Sequence, residues 1–358
     1  MDKKAIERRI KAIRRRLDKK KISCLVLTRP ANVSYVTGFL GEDSWAVIAR
    51  GRVYLLTDSR YTEQAEHECP SCKIIERAGP MAGAFAGLLN RLKSVRTVAV
   101  EDSTPVADFE RLKEAVKARF KTASDVIEPV RSVKDDSELA AIRAAASIST
   151  RALAQTLPHV QPGVTESELA GMLDFQIRKL GGRNSFETIV AFGPNASRPH
   201  HQPGTRKLRK KDTVLIDFGA KYKGYCSDIT RCFIIGGINT YYRKVYDVVG
   251  QAQAAAIEAI RPGAKIAEVD AAARRVIENS DLPVYGHGTG HGFGLEIHED
   301  PFLKPEAEGT LQPGQVITVE PGVYMPGKLG VRIEDDILVT EAGPKILTRQ
   351  CPHSPLLP

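Results

Sequence analysis

Apolar and polar positions alternate in two regimes along this chain. In the first, short apolar runs are interleaved with segments of helical period. Ile6, Ile10, Ile13 and Leu17 recur at helical spacing in an otherwise charged stretch, which predicts a helix over residues 5–20 with one buried stripe. Runs at 24–27, 45–49, 53–57 and 97–100 read as strands, and Arg50-Gly51-Arg52 between the second and third reads as a hairpin turn. Helical patterns at 81–93 and 105–117 complete a small α/β domain. Around Glu128-Pro129-Val130 the pattern shifts, and residues 135–157 form one long Ala-rich helical segment. The domains are accordingly 1–130 and 131–358.

The second regime repeats itself. Gln161-Pro162-Gly163-Val164, with Glu168-Leu169 beyond it, matches Arg261-Pro262-Gly263-Ala264 with Glu268-Val269, one hundred residues later. Leu208 and Val214-Leu215-Ile216-Asp217-Phe218-Gly219 match Leu311 and Ile317-Thr318-Val319-Glu320-Pro321-Gly322, and Ser227-Asp228-Ile229 matches Ile333-Glu334-Asp335. The unit is helix, Pro-Gly turn, helix, strands. Two such units predict one α+β domain of pseudo-twofold symmetry, with sheet inside and helices outside.

Composition narrows the class without naming a function. A chain of 358 residues, 42% hydrophobic and 27% charged, is long enough for two cores and too ordinary for a disordered or fibrous protein. No apolar run reaches the roughly 18–20 residues of a membrane span, and residues 1–16 lack the apolar core of a signal peptide. Six cysteines in this length fit a reducing cytoplasm better than a disulfide framework, and Cys69–Cys72, with Pro70-Ser71 between them, reads as loop cysteines rather than a redox pair. The net charge of +9 is concentrated in residues 1–21, which carry eleven basic residues against Asp2, Glu7 and Asp18. The remainder is nearly neutral. The basic helix is read as packed on its own domain with a solvated face, not as a nucleic-acid or membrane-binding element.

Chemistry concentrates in the repeat. Each copy sets two acids in or beside apolar strands: Asp217 and Asp228, then Glu320 and Glu334. Such carboxylates need ion partners or a metal. Arg231 and Arg332 are the nearby bases, and two bases among four acids leave a negative excess that divalent cations relieve. The segment 286–299 holds His287, His291 and His298 in an extended Gly-rich run, whose glycines argue against a helical ligand pair and which lacks the Lys-Ser/Thr of a phosphate loop. One nitrogen ligand among four carboxylates suits Mn, Co, Fe or Zn better than Ca or Mg.

Asp217, Asp228, His291, Glu320 and Glu334, with their intervals, resemble the five ligands of the pita-bread metallopeptidases, peptidase family M24. Ile216-Asp217-Phe218-Gly219-Ala220, Ser227-Asp228-Ile229-Thr230-Arg231, His287-Gly288-Thr289-Gly290-His291-Gly292, Glu320-Pro321-Gly322 and Val331-Arg332-Ile333-Glu334-Asp335 resemble its proline-specific branch, which contains aminopeptidase P and prolidase. Pro30-Ala31-Asn32-Val33-Ser34-Tyr35-Val36-Thr37-Gly38-Phe39 is similar to the N-terminal module of that branch. The resemblance implies a pita-bread domain after a smaller α/β domain, and a cytoplasmic peptidase cleaving Xaa-Pro bonds in dipeptides or at peptide N-termini. It implies two divalent cations, manganese first and cobalt, zinc or iron as alternatives. The substrate is a peptide with proline second, and the protein a homodimer without specific nucleic acid or membrane partners. Asp217 is implied to bind one cation and His291 the other, with Asp228 and Glu334 bridging them. Glu320 binds metal and handles the proton of the attacking water. His200 and His298 are implied to donate to the scissile group, His287 to shape the proline pocket, and Arg332 to contact substrate or orient an acid. His201 stands beside His200 with the register between them open. Methionine aminopeptidases, metal-free creatinase-like hydrolases and non-catalytic binding proteins share the fold. The first typically lack the N-terminal domain, and the intact ligand set argues against the other two.

Overall fold

Burial on both faces is why the strands of the first regime read as continuous apolar runs. The computed structural model describes residues 3–92, 95–237, 239–352 and 354–357, so Lys93, the expected end of a helix, lies outside the described residues. The chain divides into two compact units, Met1–Arg131 and Ser132–Pro358.

In the first unit the elements are α1 (Lys3–Lys19), β1 (Cys24–Leu27), α2 (Pro30–Thr37), β2 (Trp45–Ala49), β3 (Arg52–Thr57), α3 (Thr62–Glu68), β4 (Lys73–Glu76), α4 (Met81–Leu92), β5 (Thr97–Glu101), α5 (Val106–Ala115), β6 (Arg119–Ala123) and α6 (Glu128–Arg131). The strands form one six-stranded sheet in the order β4-β3-β2-β1-β5-β6. Arg50 and Gly51 both take positive φ, 47° and 76°, the tight turn that matches the twist of the β2–β3 hairpin. Ile6, Ile10, Ile13 and Leu17 of α1 are buried as their spacing predicts. The basic face of α1 is not wholly solvated. Arg9 is buried with its guanidinium 4.6 Å from the Tyr35 ring centre, and Arg16 and Lys20 donate to the carbonyls of Asp125 and Ser124. Long basic side chains can lay their stems on apolar surface while their heads find acceptors, which a charge count cannot reveal.

The second unit runs α7 (Asp136–Thr156), α8 (Glu166–Lys179), β7 (Arg183–Asn184), β8 (Ile189–Phe192), β9 (Thr213–Phe218), β10 (Ala220–Tyr222), β11 (Tyr225–Cys226), β12 (Ile229–Ile235), α9 (Thr240–Ala259), α10 (Ile266–Glu278), β13 (Gly290–Gly292), β14 (Glu299–Leu303), β15 (Val316–Val319), β16 (Gly322–Met325), β17 (Leu329–Arg332), β18 (Asp335–Thr340), β19 (Gly343–Ile346) and β20 (Leu356–Leu357). Capping boxes start α7 at Asp135 and α8 at Thr165.

The repeat survives at the level of single hydrogen bonds. After each Pro-Gly turn, Gly163 N donates to Leu208 O and Gly263 N to Leu311 O, both at 2.9 Å. Leu208 N returns to Val164 O at 2.8 Å, and Leu311 N to Ala264 O at 2.9 Å. Gly163 and Gly263 sit at φ 104° and 78°, conformations that other residues resist. In the first half β9 pairs antiparallel with β12, and in the second β15 pairs with β18. Two buried clusters form the core, and Leu215, Cys232 and Ile234 of the first half belong to the second cluster. Leu153, Leu169, Leu173 and Ile177 pack with Val190, Val214 and Ile216, while Val245, Val249, Val269 and Ile277 pack with Ile317, Val319 and Ile337. This is the α+β arrangement expected, with helices on sheets in two related halves.

Candidate metal centre

The paired strands place the acids symmetrically. Asp217 lies in β9 and Asp228 just before β12, while Glu320 follows β15 and Glu334 precedes β18. His291 lies in β13, which adds to the edge of β15. The other two histidines are not on that strand: His287 precedes it and His298 precedes β14. All five residues border one cleft of about 610 Å³, together with His200, His201, His287, His298 and Arg332.

Asp228, His291 and Glu334 each offer a ligand atom, and these atoms lie within 4.8 Å of one another. His291 Nε2 is 3.6 Å from Asp228 Oδ2 and 3.4 Å from Glu320 Oε1. Its Nδ1 is 3.1 Å from the Gly292 carbonyl, an acceptor, so the fitting tautomer keeps the proton there and turns the Nε2 lone pair toward the acids. Burial, helped by the neighbouring His298, lowers the His291 pKa to about 4 and keeps the ring neutral.

Asp228, Glu334 and Glu320 are shifted in the opposite sense. Burial, then repulsion from Glu334, Asp217 and Glu320, raises Asp228 well above the usual carboxylate range. Glu334 is raised for the same reasons, although Thr230 Oγ1 donates to it at 2.6 Å. Burial pushes Glu320 up to about 7, with Arg332 pulling down and Asp217 pushing up. Oδ1 of Asp217 and Oδ1 of Asp228 are buried without a hydrogen-bond partner among the described residues. Four crowded acids, two orphaned oxygens and a neutral imidazole lone pair fit divalent cations, which would satisfy all of them at once.

Arg332 is the one arginine or lysine, among the described residues, that ion-pairs with these acids. Its Nη2 reaches Asp217 Oδ2 at 2.6 Å, while Nε donates to Thr230 Oγ1 and Nη1 to the Tyr324 hydroxyl. Arg231 does not serve the four. Along β12 successive side chains face opposite ways, so Thr230 meets Glu334 and Arg231 turns to Asp335, at 2.6 Å. The negative excess is larger than the count of bases implied.

The imidazoles line the cleft. The His298 ring packs on His291 at 4.4 Å between centres, and burial with nearby His200 lowers its pKa. His287 Nδ1 faces the Gly288 carbonyl and its Nε2 the Tyr324 hydroxyl at 3.0 Å. Burial lowers His287 to about 4. Sequence reasoning missed several supports of this site. Thr318 Oγ1 accepts from His291 N and donates to Glu320 Oε1, at 3.0 and 3.3 Å. The buried Asp270 holds Thr289, and its ion partner Arg274 donates to the carbonyls of Tyr285 and His287, which fixes the approach to β13. Period-2 alternation alone could have placed Thr230 and Thr318 beside the acids.

Residues 140–341 match the model of metallopeptidase family M24, and residues 9–133 match the creatinase/prolidase N-terminal domain. The fold is similar to that of an Xaa-Pro dipeptidase from Bacillus anthracis, with a TM-score of 0.94 and 36% identity over 98% of this chain and 100% of that one. An X-Pro aminopeptidase from Thermotoga maritima superposes with a TM-score of 0.89 at 34% identity, covering 96% of this chain and 100% of that one. An Xaa-Pro dipeptidase from Pyrococcus horikoshii is 32% identical over 349 residues, 95% of this chain and 97% of that sequence. With the acid and histidine cluster lying inside the matched region, the chain belongs to metallopeptidase family M24.

Proposed function

We propose that this protein hydrolyses the Xaa-Pro bond of dipeptides or of peptide N-termini. The reading rests chiefly on the buried Asp217, Asp228 and Glu334 and the partly buried Glu320, gathered with a neutral His291 on one cleft. Asp217, Asp228, His291, Glu320 and Glu334 would hold two divalent cations, with manganese the first candidate. When bound, such cations supply Lewis acidity, making water more acidic and a carbonyl more electrophilic. Glu320 takes the proton of the attacking water and returns it to the proline nitrogen as the bond breaks. His200 and His298 donate hydrogen bonds to the carbonyl oxygen as negative charge develops on it. His287, held by Tyr324 and the Gly288 carbonyl, forms a wall of the proline pocket. Arg332 orients Asp217 and screens the acids from one another. In this reading residues 1–130 are the N-terminal module and 131–358 the catalytic domain of a cytoplasmic homodimer. Six free cysteines, five of them buried, are in keeping with a reducing compartment.

The test is elemental analysis of the purified protein, together with hydrolysis of Gly-Pro and of Xaa-Pro-Xaa peptides after loading with Mn. The expected result is metal-dependent release of the residue before proline, abolished by Asp217→Ala or Glu334→Ala. Turnover in either variant at limiting metal would refute the ligand assignment. Cleavage of Gly-Pro alone would identify a dipeptidase.

A further inference from the structure

The cleft holds a histidine whose position needs explaining. His200 borders it and lies near enough to His287 and His298 to affect both electrostatically, yet its ring has no hydrogen-bond partner among the described residues. Its placement is inherited from its backbone, in the loop that leaves β8. One buried carboxylate gathers that loop. Glu166, in the first turn of α8 and 0% exposed, accepts at Oε1 from Phe192 N and Asn195 Nδ2, both at 2.8 Å. At Oε2 it meets Gly204 N at 3.1 Å and His201 Nε2 at 2.9 Å. A fully buried carboxylate is costly without such partners, and these four contacts offset that cost. They tie down the start of the loop, its middle and its end. From the other half of the unit, Arg332 Nη2 approaches the Pro199 carbonyl at 3.4 Å.

Resting on the peptidase reading, we propose that Glu166, acting through His201, is the positioning residue that aims His200 into the cleft. The neighbouring histidines then have different tasks: His201 anchors the loop and His200 meets the substrate. Displacing a catalytic donor by about 1 Å costs up to roughly a hundredfold in rate, so releasing the anchor should act mainly on turnover.

The experiment uses the metal-loaded full chain and measures kcat and KM on Gly-Pro for His201→Ala, His201→Gln and Glu166→Gln, each alone and combined with His200→Ala. His201→Ala leaves the other three Glu166 contacts in place and guards against misfolding. It should lower kcat about tenfold with KM changed less than about threefold. His201→Gln, which keeps a donor toward Glu166, should recover most of that loss. In the His200→Ala background the His201 and Glu166 substitutions should cost less than about twofold more, because coupled residues are not additive. Equal losses in both backgrounds, or full kcat in His201→Ala, would overturn the proposal. Histidine ring NMR signals provide a readout independent of activity. The His200 signals should shift or broaden in His201→Ala and Glu166→Gln, and unchanged signals would overturn the positioning role even if Xaa-Pro hydrolysis itself were not found.

Discussion

Thr318→Val tests whether the candidate metal centre is held together by its immediate supports. Thr318 is fully buried in β15, and its hydroxyl both accepts from His291 N and donates to Glu320 Oε1. Valine keeps the shape but offers neither bond. Water cannot easily take over, because a methyl built on Gly290 would come within 2.0 Å of the Thr318 carbonyl, so closely do these strands approach. Leaving the His291 N–H without an acceptor costs about 1–3 kcal/mol. For a unit of this size that corresponds to about 2–12 °C in the thermal midpoint of the chelated protein. Losing a hydrogen bond behind a ligand costs about 10–100-fold in metal affinity. Since Thr318 helps hold Glu320 down at about 7, its loss drives that carboxyl higher, and the affinity deficit should narrow as pH rises. Scanning calorimetry with chelator and Mn titration at two pH values measure both effects. Thr318→Ser, which retains the hydroxyl, is the control. A Val variant indistinguishable from wild type, or a Ser variant equally damaged, would refute the reasoning.

His298→Ala should keep its metal and lose roughly a hundredfold in turnover, the scale of one transition-state donor; loss of metal instead would make His298 a ligand. Metal binding should release protons and strengthen from pH 6 to pH 8. Asp228 and Glu334 are raised and Glu320 stands at about 7, so the metal-free site holds protons that the cation must displace, while His291, at about 4, has none to give. A flat or falling profile would contradict this. Reversing the exposed charges of Arg8 and Arg15 on α1 should leave turnover and thermal midpoint nearly unchanged. Submicromolar RNA binding at physiological salt, lost on that reversal, would require a second function.

Much of the fold was legible because it rests on periodicity. The α1 stripe, the β2–β3 hairpin and the one-hundred-residue repeat follow from apolar spacing and from glycines at positive φ. The strands β4 and β6 were not legible. Lys73–Glu76 and Arg119–Ala123 lie at the two edges of the sheet, where lysine, arginine and glutamate replace the apolar run. The four acids stood out against apolar surroundings, and alternation also puts Thr230 and Thr318 beside them, but Tyr324 and Glu166 are ordinary residue types whose roles depend on partners elsewhere in the chain. Arg231 misled for a related reason: adjacency in sequence put it beside Asp228, while strand alternation turned it to the other face.

The cluster draws Asp217 and Asp228 from one half of the repeat and His291, Glu320 and Glu334 from the other. The first half alone therefore presents two aspartates without the ligand imidazole of His291, an incomplete set for a transition metal. Closing the set requires contacts across the repeat, such as His291 Nε2 to Asp228 Oδ2, whose long sequence separation makes them slow to form. The complete five-residue cation site therefore exists only where both halves of the repeat have come together.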